Sequence, residues 1–121
     1  MSSYEDYVVM LLRADGIKFI REKTYKDLKS GRYRFDFYLP ARNILIEVDG
    51  QYHWKPIRGR NALLKQQEHD RRKNSYCLAH KIPLYRIPFW EIPNLKKSED
   101  LFQKKFYVKS KFHNDYLKVP K

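Results

Sequence analysis

The chain has one cysteine, four histidines, few acids and no long apolar run. A lone Cys77 cannot close an intrachain disulfide, which excludes a disulfide-stapled scaffold. It sits in YCLAH with no second cysteine or activating base beside it, so it reads as a small buried hydrophobe rather than a nucleophile. No stretch approaches the length that spans a bilayer, and the opening MSSYEDYVVMLLRADG lacks the basic and apolar regions of a secretory signal. The expectation is a cytoplasmic protein with no membrane partner. The 14 Asp and Glu stand against 26 Lys and Arg, a formal charge of +12. Such an excess favours a polyanionic partner, nucleic acid above all, with a merely solvated basic surface as the alternative.

At 121 residues the chain is long enough for one core. Ser3 with Asp6 predicts a helix start, and Tyr7 to Leu12 supply its apolar face until Asp15-Gly16. Ile17–Ile20 reads as a strand, and Arg32–Leu39 as a second that places Tyr33, Phe35, Phe37 and Leu39 on one face. Asn43–Asp49 pairs with it as an antiparallel hairpin, with Leu45, Glu47 and Asp49 opposite Ile44, Ile46 and Val48. QYHWKPIRGRN reads as a mobile loop, Asn61 as the cap of a helix over residues 62–80, and Ile82–Ile87 as a fourth strand. Ser98 to about Val108 reads as a last short helix. The order αβββαβα describes an α/β or α+β fold with a mixed sheet of about four strands flanked by helices. Residues 1–108 form a single domain in this reading, and 109–121 a basic tail.

Within RFDFYLPARNILIEVDGQYHW, carboxylates interrupt both apolar runs. Ionised acids taken out of water need a cation, hydrogen bonds or a task. The hairpin spacing brings Asp36, Glu47 and Asp49 to one face and one end of the sheet. Two readings compete there: a hard divalent cation such as Mg²⁺, held by the three acids with the carbonyl of Val48, or salt bridges to the abundant Lys and Arg. On the long helix, Asp70, Lys73, Asn74 and Cys77 share one face, and His69 neighbours Lys73. If that face meets the sheet, Lys73 can stabilise a phosphate and His69 can act as general acid or base; an exposed polar helix surface is the plain alternative. Glu5, in the first turn of helix one, suits the helix dipole whether or not it joins the site. His53, His69, His80 and His113 lack the paired spacing of zinc ligands, which argues against a zinc-centred ββα nuclease.

The run from Asp36 to His53, followed by HDRRKNSYCLAHKIPLYRI, resembles the PD-(D/E)xK nuclease superfamily. The likeness is to the branch of the very-short-patch mismatch repair endonucleases and the EDxHD phage homing endonuclease-like domains, over about Ser3 to Ile92. It implies a restriction-endonuclease-like fold and a DNA endonuclease using Mg²⁺, for which Mn²⁺ can substitute. Asp36 takes the place of the metal-binding aspartate, Glu47 that of the second acid, Glu5 that of the acid on helix one, and His69 with Asp70 that of the HD pair. The lysine expected two residues after Glu47 is replaced by Asp49, which nominates Lys73 from the helix. The alternative is a non-catalytic nucleic-acid-binding protein that keeps the scaffold.

DNA would lie over residues 55 to 73, where Lys55, Arg58, Arg60, Lys65, Arg71, Arg72 and Lys73 outnumber Glu68 and Asp70. Gln51 and His53 are placed to touch the scissile phosphate or the metal. Tyr52 and Trp54 can act as wedges between bases, or simply cover a core edge. The chain would act as a monomer or homodimer.

Overall fold

A computed structural model describes residues 2–121. Helix α1 (Ser3–Ala14) is capped by Ser2, whose Oγ accepts the Glu5 N–H at 3.2 Å. Its buried Val8, Val9, Leu11 and Leu12 lie on one stripe. Strands β1 (Ile20–Lys23), β2 (Phe35–Leu39) and β3 (Ile44–Asp49) form an antiparallel meander. Helix α2 (Arg60–His80) then crosses over to β4 (Leu84–Pro88), which pairs parallel with β3. The sheet order is β1-β2-β3-β4, so the fold is α+β with a mixed four-stranded sheet. No helix among the described residues is long and apolar enough to cross a membrane.

Alternation along β3 and β4 divides the core into two. Ile46, Val48 and Ile87 pack under α1 with Phe37 and Leu39, whereas Leu45 and Leu84 pack with Cys77 and Tyr76 of α2. The buried face of α2 also carries Asp70 and Asn74. Burial pushes the Cys77 thiol up to about 12, which removes it as a nucleophile.

Several boundaries depart from the sequence pattern. The first strand begins at Ile20, not Ile17; Ile17 and Phe19 pack against the α1 core, while Ile20 is 48% exposed. The second strand begins at Phe35, because Lys29, Ser30 and Gly31 all take left-handed backbone angles and turn the chain just before it. Phe35 does not share the face of Phe37 and Leu39: it joins the α2 cluster. The flip occurs at Asp36, opposite Glu22, whose φ of 53° also breaks the pleat of β1. The cap of α2 is Gly59, φ 98°, and not Asn61. Residues 51–53 form a short 3-10 turn instead of open loop. The expected last helix is two 3-10 turns, Ser98–Phe102 and Lys104–Phe106, separated by Gln103 in an extended conformation. The 109–121 segment also differs from a free tail: Asn114 is buried against Asp49 and Asp70, and Asn74 Nδ2 donates to the Lys111 carbonyl.

Candidate active site at the parting of two strands

Strands β2 and β3 stay in register from Leu39↔Ile44 to Phe37↔Ile46 and then part. Two backbone N–H groups beyond that point find side chains instead of the opposite strand. Asp36 Oδ2 accepts the Val48 N–H at 2.7 Å, and Glu47 Oε1 accepts the Asp36 N–H at 2.7 Å. This reciprocal crossing fixes both carboxylates at the fork and satisfies the backbone there. From α2, Lys73 Nζ bonds Glu47 Oε2 at 3.0 Å and the Arg34 carbonyl at 2.5 Å. Lys73 therefore reaches the acid pair from the helix, at the place where the strand itself offers Asp49.

Asp36 makes no ion pair among the described residues. Burial, and then the charge of Glu47, push its carboxyl well above the usual carboxylate range. Glu5 comes from α1 to the same place, ion-paired with Arg21, whose Nε donates to the Asp36 carbonyl at 3.1 Å. A cleft of about 490 Å³ lies between Glu5, Arg21, Glu22 and Asp36. A second of about 290 Å³ runs from Glu5 past Val48 to Gln51, His53 and Gln66. Glu5 borders both clefts, and the second forms a trough past the fork.

Asp49 belongs to a different constellation from Asp36 and Glu47. The three acids do not share one cluster, because Asp49 and Asp70 close around Arg86 of β4. Arg86 is fully buried. Its Nη1 contacts the two Asp49 carboxylate oxygens at 2.9 and 3.1 Å, and its Nε donates to Asn74 Oδ1 at 2.7 Å. Its Nη2 donates to the Asp70 carbonyl at 3.3 Å, and Nη1 lies 3.6 Å from Asp70 Oδ1 and 3.9 Å from Glu47 Oε2. This is the fork geometry for which guanidinium is suited, with nearly every donor spent.

The histidine that faces Asp70 is His53, not the adjacent His69. His53 Nδ1 lies 2.7 Å from Asp70 Oδ2 and Nε2 lies 3.5 Å from Asp49 Oδ1. Burial alone would lower its pKa, but Asp49, then the hydrogen bond and charge of Asp70, lift it to about 9. For Asp70, burial is outweighed by Arg86 and then His53, and its carboxyl falls to about 2. His69 instead lies half-buried against Tyr33, ring centroids 4.6 Å apart, its pKa lowered by burial and then by Lys73.

Asp49, His53 and Asp70 also offer donor atoms within 4.8 Å of one another, a set that could hold a metal ion. Its charge is already balanced, two carboxylates against Arg86 and the His53 imidazolium. A cation there would have to strip the His53 proton and crowd Arg86. The fork at Asp36 differs in character: Asp36 has no ion pair among the described residues, and Glu47 beside it is paired with Lys73.

Linkage makes the Arg86 network visible in solution. The folded pKa of His53 lies above its ordinary 6.5, so its stabilisation is complete below pH 6.5 and is lost as pH rises through about 9. That of Asp70 lies below 3.8, so its share is complete above pH 3.8 and is lost as pH falls toward 2. Urea unfolding of the wild type should therefore weaken by about 3 kcal/mol between pH 6 and pH 9.5, against no such alkaline limb for His53→Gln. Identical limbs in the two proteins would remove His53 from the network.

The remaining candidates divide. Gln51 and Tyr52 are exposed on the trough rim, and Arg58 stacks on the Tyr52 ring at 4.4 Å. Trp54 covers a core edge: it packs on Trp90 at 4.7 Å, and its Nε1 donates to the Asn114 carbonyl at 3.2 Å. Lys55 lies over Phe89, and Arg60 is exposed at the start of α2. Arg71 is held by Asp115, and Arg72 by Glu68 with Tyr33 Oη at 3.5 Å. The sequence reading missed Arg86, Asn114 and Gln66, whose Nε2 donates to Asp70 Oδ1 at 3.1 Å. The one sequence signal was an arginine inside the otherwise apolar strand LYRIP.

Comparison of the chain with protein-family models, curated proteins and solved structures finds no match. Its function has to be argued from this geometry and from the residues themselves.

Proposed function

We propose that the chain is a metal-dependent endonuclease that hydrolyses DNA phosphodiester bonds, of the PD-(D/E)xK type its sequence resembles. The observation that carries the proposal is the fork: Asp36 and Glu47 crossed at the parting of β2 and β3, with Lys73 delivered to Glu47 from α2. Asp36, Glu5 and the backbone carbonyl of Val48 would hold Mg²⁺ or Mn²⁺. When bound, the cation supplies Lewis-acid polarisation of the phosphoryl oxygen and a more acidic water.

The protein's own groups supply the rest. Lys73 gives a fixed positive charge where negative charge develops on the phosphate. His53 borders the trough with its Nδ1 facing Asp70 and its Nε2 facing Asp49, so its ring adds positive charge at the wall of the trough. Asp70 and Asp49 hold its ring and its charge. Arg58, Arg60 and Lys55 offer exposed positive charge for the backbone of a duplex. Such a protein acts on DNA in the cytoplasm, as a monomer or homodimer.

The test is incubation with supercoiled plasmid and Mg²⁺ or Mn²⁺, with EDTA as control. Nicked or linear product that requires the metal is the expected result. Retained binding with no cleavage under any metal would favour a non-catalytic DNA-binding protein. In that reading, the Lys73–Glu47 pair simply neutralises the former site.

A further inference from the structure

A cavity of about 610 Å³ opens beside the fork, between the Lys29–Arg34 loop and α2. Its rim carries Lys29, Arg32 and Arg34, and Lys73 closes the side toward Glu47. Lys29 and Arg32 have no side-chain hydrogen bond or ion pair among the described residues, and Arg34 has only an exposed contact to Glu22 at 3.4 Å. Buried on the far side, Tyr33 backs the ring of His69, which forms a flat ledge. Gln66 lines this cavity and the trough alike; one N–H of its amide donates to Asp70, and its carbonyl oxygen has no hydrogen-bond partner among the described residues. The three successive left-handed residues Lys29, Ser30 and Gly31 set the loop, a costly backbone of the kind that gathers at binding sites.

We infer that this cavity binds an unpaired nucleotide of a DNA strand that lies along the fork. A duplex meets a protein through convex phosphate rails, which protruding cations reach without a hollow. A concave site of this size with unpaired cations at its rim, a ring ledge and an amide acceptor fits a splayed nucleotide: phosphates on Lys29 and Arg32, base on His69, base edge toward Gln66. Burial and then Lys73 lower the His69 pKa, which favours the uncharged ring for stacking. The inference rests on DNA being the substrate, but not on cleavage.

The experiment is fluorescence anisotropy in EDTA, comparing a blunt duplex with the same duplex bearing a short single-stranded extension. The wild type should bind the extended duplex about tenfold more tightly. Lys29→Ala/Arg32→Ala should erase that preference, keep blunt-duplex affinity within about twofold, and reduce the salt slope for the extended duplex by about 1.4. His69→Ala should lower the preference while leaving the salt slope in place. Circular dichroism confirms that each variant folds, and Arg32→Glu serves if the double variant does not. Equal wild-type affinity for the two duplexes, or a preference that survives the double substitution, overturns the inference. Because this binding is measured without metal, a preference found in a protein that cleaves neither plasmid nor the extended duplex with Mg²⁺ or Mn²⁺ would refute the nuclease reading and leave this one standing.

Discussion

Arg86→Ala should cost about 3–5 kcal/mol of unfolding free energy, because it leaves Asp49 and Asp70 buried with one cation fewer. In a chain of 121 residues, whose whole stability is of order 5–15 kcal/mol, that is a large fraction. The expected fall in Tm is roughly 10–20 °C. Arg86→Lys should recover little, since an ammonium cannot span Asp49, Asn74 and the Asp70 carbonyl together. Arg86→Met combined with Asp49→Leu and Asp70→Leu should recover much of the stability, as removing a whole buried ionic cluster is far cheaper than breaking it. Thermal and urea unfolding measure all three. A loss under about 1 kcal/mol for Arg86→Ala would mean that water, not the protein, balances these acids.

Asp36→Asn separates activity from stability in the opposite direction. It should lower metal-dependent cleavage by more than about a hundredfold, the loss already expected when only a partner of a metal ligand is removed. The amide oxygen can still accept the Val48 N–H, and the repulsion from Glu47 disappears. The folded pKa of Asp36 is raised, so at neutral pH its ionised form works against folding, and the variant should be as stable as the wild type or slightly more so. Mn²⁺ should raise the Tm of the wild type and of His53→Ala, but not that of Asp36→Asn. Stabilisation of Asp36→Asn by Mn²⁺, with none for His53→Ala, would move the metal to the Asp49, His53 and Asp70 group.

What could be read in advance follows from the range over which each signal acts. The period-2 pattern of ILIEVD placed Glu47 and Asp49 on the α2 face of the sheet, and the helical spacing of Asp70, Asn74 and Cys77 placed them against it. Those are local regularities. The separation of Asp49 from Asp36 is not, since it depends on an arginine 37 residues further along the chain. In the same way, His69 adjoins Asp70 in sequence, but a helix turns consecutive side chains about 100° apart, and the space in front of Asp70 is filled by His53 from 17 residues earlier. The displaced start of β2 follows left-handed residues that are not glycine, Lys29 and Ser30, and the flipped Phe35 lies near another, Glu22, for which composition gives no warning. The last helix starts as expected, with Asp100 capping the Lys97 N–H, but Gln103 takes an extended conformation and divides the segment into two 3-10 turns.

Asn114 bears on when the buried network around Arg86 is completed. Its amide joins Asp49 and Asp70 across 65 and 44 residues, and its carbonyl anchors Trp54 beside His53. During synthesis the fork, α1 and most of α2 leave the ribosome well before residue 114 does. Until it arrives, Asp49 and Asp70 have Arg86 and His53 but lack the amide that joins them. A product ending before Asn114 would lack the amide that ties Asp49 to Asp70, so the C-terminal segment is the last piece of the Arg86 network to be made.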